Sequence, residues 1–392
     1  CALPILQEEI RETGDAAQRL AIRYEYNPFD QMTRKMERDQ MGKTRSWTYH
    51  YNINGNLVRL VDPEQNVYGY SYDAYGNLVS VQENNTLTTE YHYNPLSWKI
   101  SEKDVPSGAT ETFHYYPNGK TRIFTDKAKN RHEYAYTPFY EVSSITTKDT
   151  AGVVKNKETW EYYPNTSLVK KETNSNGPDN RPTSSNYREV QYSYDPFHRL
   201  NRQTVFDRDY QIRYTDHDDL MDQLVYPDNT VVSYRYDDAE RLLEVSSNVT
   251  GTIRYAYQTT NTGETYTLTY PNGLEMERKL DSFGQVKELT HRKRNTPIWT
   301  ETNQYSFGNV VSITRNGTTF AYEYDKIDRL TKETLPSGTN RYAYDTRGNR
   351  KSFEGVLPID TDTVTYTFDE RNRLRSYANE RTGNAGSYTY YG

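Results

Sequence analysis

A tyrosine doublet returns about every 21 residues along this chain. A fixed period over a whole chain sets its architecture before any single residue does. Tyr70-Ser71-Tyr72-Asp73-Ala74-Tyr75-Gly76-Asn77-Leu78 is the clearest copy, and Tyr342-Ala343-Tyr344-Asp345-Thr346-Arg347-Gly348-Asn349 repeats it far downstream. The pairs Tyr24/Tyr26, Tyr49/Tyr51, Tyr91/Tyr93, Tyr134/Tyr136, Tyr192/Tyr194, Tyr234/Tyr236 and Tyr322/Tyr324 keep the phase, with further copies starting at Phe113, Tyr255, Tyr366 and Tyr388. Residues i and i+2 of a strand face the same side, so each Tyr-x-Tyr puts two rings on one face.

The residues after each doublet carry turn chemistry. Asp73 and Gly76, Asp281 and Gly284, and Asp345 and Gly348 stand at the first and fourth positions that a type I turn favours. Where glycine is absent, Pro28, Pro95, Pro138 or Pro196 takes the second position and presets φ. A short apolar-containing run follows, then a second turn such as Leu335-Pro336-Ser337-Gly338 or Tyr270-Pro271-Asn272-Gly273. Eleven of the 16 prolines fall at the second position of one of these two turns. A helical repeat would not tolerate them in its interior. Each repeat therefore reads as strand, tight turn, strand, tight turn, and short turns join antiparallel neighbours.

About 16 repeats give on the order of 30 strands, or a sheet roughly 150 Å wide. Open twisted sheets rarely exceed about ten strands without curling or splitting. The expected fold is all-β, a repetitive antiparallel meander coiled into a spiral shell. Residues 1–23 read as a lead-in segment, with any helix confined to 3–20 around Gln7-Glu8-Glu9-Ile10-Arg11, and 24–392 as one continuous repeat array. The polar, turn-rich stretch near 172–187 reads as a long surface loop. Both ends look cut from something longer, since the chain starts without Met and stops inside a further copy of the repeat.

Composition narrows the function classes. Mean hydropathy is −1.04, which would suggest disorder, but 39 tyrosines score as polar while carrying large rings to bury. Net charge is −6, and His291-Arg292-Lys293-Arg294 is the one basic run, so nucleic acid is not an expected partner. No apolar stretch is long enough for a helical membrane span. Cys1 is the single cysteine, so no internal disulfide forms.

Tyr-x-Tyr-Asp-x-x-Gly-Asn-Leu at this period resembles the YD repeat of the Rhs family. Tyr70 to Leu78 and Tyr342 to Asn349 carry the motif nearly intact. Tyr192 to Leu200 and Tyr322 to Leu330 carry an Asp-x-x-x-Arg-Leu version. The resemblance covers roughly residues 24–392 and is similar to bacterial wall-associated YD-repeat proteins and to the repeat regions of polymorphic toxins. It implies a structural role without catalysis. The chain would be part of a hollow shell around a C-terminal toxin domain of the same full-length polypeptide, secreted or attached to the bacterial surface or cell wall. The closing core segment and the toxin itself are not found after Thr363. A cell-surface adhesion or carbohydrate-binding role, with cell-wall or glycan surfaces as partners, is the alternative.

The residues offer little chemistry to set against that reading. Seven histidines show no metal-ligand spacing, and His50, His92 and His114 fall at or beside the middle position of a doublet. Asp216-His217-Asp218-Asp219 reads as a solvated turn, and no nucleophile elbow or phosphate loop is present. No catalytic, cofactor or metal residue is expected. The tyrosines are expected to form cross-strand ladders, with Tyr70 and Tyr72 pointing one way and Tyr91 and Tyr93 stacked near them two strands along.

Overall fold

Period-2 strands joined by tight turns give one sheet. The computed structural model describes residues 5–12, 19–39, 41–176, 187–216, 219–260, 263–345, 348–357, 360–369 and 373–388. Thirty-four strands run through them, from β1 (Ile5–Glu12) to β34 (Ala385–Ser387), and no helix occurs among the described residues. Each strand pairs antiparallel with the next in sequence. β3 (Met32–Arg38), β4 (Thr44–Tyr51), β5 (Leu57–Val61), β6 (Val67–Tyr72) and β7 (Leu78–Glu83) illustrate the meander. The chain is the all-β spiral shell that its period implies.

Two expectations need correction. The stretch proposed for a helix in 3–20 is strand at Ile5–Glu12, laid along β2 (Arg19–Tyr26) from Ile5↔Tyr26 to Glu12↔Arg19. Ladder pairing with a ready edge overrides local helix propensity, which is a weak prior. The expected loop near 172–187 is also shorter. β15 (Val169–Asn176) and β16 (Tyr187–Tyr194) are paired as far as Ser175↔Tyr187, and residues 177–186 lie outside those described.

The doublet turn explains the motif after it. In Asp73 to Asn77 the Gly76 N–H donates to the Asp73 carbonyl at 3.1 Å, and the Asp73 N–H donates to the Asn77 carbonyl at 2.9 Å. This is a type I turn closed by one left-handed residue, a common three-residue hairpin loop. Gly76 holds φ 83°. A Cβ built there would touch nothing within 4 Å, so only backbone strain opposes substitution. Gly76→Val is expected to cost about 1–2 kcal/mol. His198 occupies the equivalent site with φ 65°, so His198→Gly should gain stability where Gly76→Val loses it. Equal thermal midpoints for both variants and the parent would refute this placement of strain.

The sheet returns on itself. Turns after even-numbered strands form one rim and turns after odd-numbered strands the other. Asp39 meets Ser306, Arg45 meets Asp328 and Glu64 meets the Lys326 backbone, contacts 267, 283 and 262 residues apart. They join the odd-turn rim of the first winding to the even-turn rim of the second, at the turns after β26 (Thr296–Ser306) and β28 (Thr318–Tyr324). Twenty-three strands, β4 to β26, make one circuit. At about 4.8 Å each the circuit is roughly 110 Å, or about 35 Å across if circular. A flattened circuit would instead be a sandwich with faces about 10 Å apart and a dry core. Val190 is the one fully buried apolar side chain among the described residues, so the wall is not collapsed onto itself.

Candidate functional site

The repeated wall and its seam are the features that function can act on. In twelve repeats the tyrosine at the second position of the doublet clasps the strand before it. Tyr72 donates its hydroxyl to the Leu57 carbonyl at 2.8 Å, and Tyr93 donates to Leu78 at 2.9 Å. The same bond runs from Tyr51, Tyr115, Tyr136, Tyr162, Tyr194, Tyr214, Tyr236, Tyr257, Tyr305 and Tyr344. In all twelve copies the acceptor is the first residue of a strand. The reason is visible at Leu57. It pairs with Tyr51 on one side, but on the other the ladder starts only at Arg59↔Gly69. Its carbonyl would otherwise lack a protein partner, and the phenol supplies one.

The turn aspartate is the other half of the clasp. Asp73 Oδ1 accepts from the N–H groups of Tyr75 and Asn77, and Oδ2 accepts the Asn77 amide at 2.9 Å. The Asn77 side chain, reinforced by the backbone donors, holds Asp73 below the usual carboxylate range. Asp345 is bound by Asn349 in the same way, and Asp281 accepts from the N–H groups of Phe283 and Gln285. Gly284 and Gly348 hold φ 77° and 82°, as Gly76 does. In the arginine version Arg199 grips Asp195 at 2.7 Å while lying 4.4 Å over the ring of Tyr214. Arg241 ties Asp237 to Tyr257, and Arg329 ties Asp325 to Tyr344, in the same way. Each such arginine couples its own turn to the next repeat.

The aromatic face differs in detail from a stacked ladder. Tyr70 and Tyr72 share a face, but no ring contact joins Tyr70 to Tyr91. Consecutive doublets lie two strands apart, about 9.6 Å, which exceeds ring-stacking distance. The intervening strand sets Val81 opposite Tyr70, and Leu60 separates Tyr49 from Tyr68. Elsewhere the opposite position holds Glu102 against Tyr91 and Glu333 against Tyr322, while Phe113 with Phe124 and Tyr342 with Phe353 form cross-strand ring pairs at 5.1 and 5.6 Å between centroids, so the expected ladder exists in some repeats only. Tyr24 and Tyr26 do touch within one doublet, at 6.4 Å between ring centroids. Tyr91, Tyr93, Tyr134, Tyr136, Tyr234, Tyr236, Tyr322, Tyr324, Tyr342 and Tyr344 are half-buried, while the middle residues Ser71, His92, Arg235, Glu323 and Ala343 are exposed. Burial pushes the phenols of Tyr70, Tyr91, Tyr134, Tyr234, Tyr322 and Tyr342 up, and with the Glu172 carboxylate beside it Tyr192 reaches about 12.

The seam was not legible in the repeat. Arg45 is its hub, with its side chain 9% exposed. It donates to Glu37 at 2.6 Å and Asp328 at 2.7 Å, and it lies 4.3 Å over Phe307. Burial pushes the Glu37 carboxyl up, but hydrogen bonds from Lys35 and Arg45 outweigh it and hold the group below its usual range. Turn-tip apolar side chains are exposed on the first winding at Phe29, Ile53, Tyr75, Leu96, Phe139 and Phe197. Their counterparts Phe307 and Ile327 at the seam are half-buried.

Among the described residues no group of three or more His, Cys, Asp or Glu side chains could hold a metal ion. No helix there is long and apolar enough to cross a membrane. His50, His92 and His114 stand exposed at the middle position of their doublets, and His217 and Asp218 lie outside the described residues.

The Teneurin YD-shell family matches residues 227–391, and the RHS Repeat family matches residues 51–88. No curated protein matches the chain. Among solved structures, the Tc holotoxin pore of Photorhabdus luminescens, with a substituted TccC3, superposes with a TM-score of 0.61 at 12% identity, covering 91% of this chain and 22% of that one. The crystal structure of TcdB2-TccC3 gives a TM-score of 0.54 at 12% identity, covering 93% of this chain and 27% of that one. The crystal structure of TcdB2-TccC3-Cdc42 gives 0.54 and 12%, covering 94% and 27%. This chain thus spans about a quarter of the length of these structures, and at such identity the likeness concerns the fold.

Proposed function

This chain belongs to the Rhs/YD-repeat family, and from that premise we propose that it is a wall segment of a hollow shell enclosing a C-terminal toxin domain of the same polypeptide. The protein acts outside the cell that makes it, secreted or held at the bacterial surface. The wall does no chemistry. Its task is to separate an unfolded client from solvent and proteases until release.

The observation that carries this reading is a one-layer wall that completes a circuit without a packed core. A circuit about 35 Å across leaves roughly 25 Å free once side chains are allowed on both walls. That space takes an extended or loosely folded chain. The rows of half-buried tyrosines suit such a client, since their rings offer apolar contact without one fixed pocket. Tyrosine also keeps a hydroxyl for the wall itself, so the face stays wettable.

Limited proteolysis of the full-length gene product tests the proposal. The segment downstream of Gly392 is expected to survive at protease levels that digest it rapidly after the shell is denatured. Equal digestion of that segment in native and denatured protein would sink the reading. Glycan binding by the intact wall, with an unprotected downstream segment, would favour the adhesion role instead.

A further inference from the structure

The seam follows a pattern that the free rims of the same sheet repeat. Across it, Arg45 of the first winding donates to Asp328 at 2.7 Å and to the Lys326 carbonyl at 3.4 Å, and it lies over the Phe307 ring. At its centre, then, an arginine of an odd-turn rim meets a ring and a carboxylate of an even-turn rim. The even-turn rim of the first winding carries the same pieces in the open. Phe29, Ile53, Tyr75, Leu96, Phe139 and Phe197 stand at its turns, with Phe29 82% and Tyr75 84% exposed. Phe29 and Asp30 are third and fourth in their turn, as Ile327 and Asp328 are in theirs. Asp30 also holds the left-handed conformation of Asp328, with φ 59° against 70°.

The edge that matches this rim is on the second winding. The turns after β25 (Val286–Lys293) and β27 (Asn309–Arg315) lie on its odd-turn rim, the side away from the first winding. They expose Lys293, Arg294 and Arg315. The basic run from His291 to Arg294 ends at the first of these turns, so the one cationic cluster in the sequence falls on this edge.

We propose that the two free rims dock on each other between copies of this chain, the odd-turn rim of one copy's second winding seating on the even-turn rim of another copy's first. The contact continues the established seam, even turns against odd, by one further winding. Lys293, Arg294 and Arg315 take the part of Arg45, with tip rings such as Phe29 and the Asp30 carboxylate as their partners. Six apolar tips at roughly 100–150 Å² each offer about 600–900 Å² on one side, close to the ~800 Å² per partner of a standard specific interface. The interface is heterologous. Each added copy leaves one rim of each kind free, so association extends head to tail and does not close at a dimer. The outer rims alone carry this inference, which holds whether or not the wall encloses a toxin.

Two capped variants of the full chain test it. Phe29→Ser with Tyr75→Ser blunts the even-turn rim, and Lys293→Glu with Arg294→Glu reverses the charge of the odd-turn rim. All four positions are exposed, so both variants should keep the parent's far-ultraviolet dichroism. In sedimentation velocity from about 1 to 100 µM, the mean mass of the parent should rise with concentration past that of a dimer. Each capped variant should associate roughly tenfold more weakly or less still. Mixed in equal amounts, the two variants should pair one to one and stop there, because each supplies the rim that the other lacks. A parent chain still monomeric at about 100 µM would overturn the inference. So would capped variants that assemble as well as the parent, or a mixture that sediments as its separate components do.

Discussion

Arg45→Ala is expected to uncouple the two windings at neutral pH while leaving every strand in place. The side chain makes five favourable contacts at once, with Glu37, Asp328, the Lys326 carbonyl, Phe307 and, at 5.2 Å, the ring of Trp47. Its loss leaves Glu37, 12% exposed, with Lys35 as its remaining cation. Breaking one side of a buried ion pair costs about 3–5 kcal/mol, and the surviving Lys35 pair puts this case near 3. The loss should be local. Hydrogen exchange should quicken in 39–66 and 306–329 and stay unchanged in the middle of the circuit, where neighbours are paired by ladders. Arg45→Lys keeps the charge but not the planar fork that reaches two carboxylates and stacks on a ring, so it should recover only part of the protection. Parent-like exchange at the seam in Arg45→Ala would show that the windings are held by something other than this hub.

How much of this was legible in the chain depends on the range of the signal. The doublets, the turn aspartates and the prolines are local, and local rules place them. Pro28, Pro95, Pro138 and Pro196 all sit second in a turn whose first carbonyl accepts from the fourth N–H. The alternation of Asn77 with Arg199 after the aspartate is equally readable, because both side chains reach the same Oδ2. The N-terminal strand was missed because Gln7 to Arg11 carries helix-compatible residues and nothing local reveals that β2 offers an edge. The stacking of Tyr70 on Tyr91 failed on distance, since period alone does not show that Val81 stands between them. The seam was out of reach altogether. Arg45 and Asp328 are 283 residues apart, and their meeting depends on small twists summed over 23 strands. No motif records such a sum.

Raising the pH should unfold the wall cooperatively between about pH 10 and 12. The twelve clasping phenols all titrate above their ordinary value because burial disfavours the phenolate. A group raised by folding lends stability that is complete below its unfolded pKa, about 10 for tyrosine, and lost as pH climbs through the folded value. Tyr187 and Tyr192, each near 12, mark the upper end of that window. Ionisation also removes the hydroxyl proton, so each clasp loses its donor and the strand-end carbonyl is left facing an anion. One clasp contributes about 1 kcal/mol, and twelve together approach the whole stability of a typical domain. The clasps bridge successive repeats, so losing several should propagate along the sheet as it does in other solenoids. Near-ultraviolet phenolate absorbance and far-ultraviolet dichroism should therefore change together. Tyr72→Phe should lower the alkaline midpoint, because it starts with one clasp already open. Complete phenolate formation with the strand signal intact would mean that the hydroxyls merely decorate the wall. Coincident transitions would mean that the tyrosine repeated along this chain is there for its proton as much as for its ring.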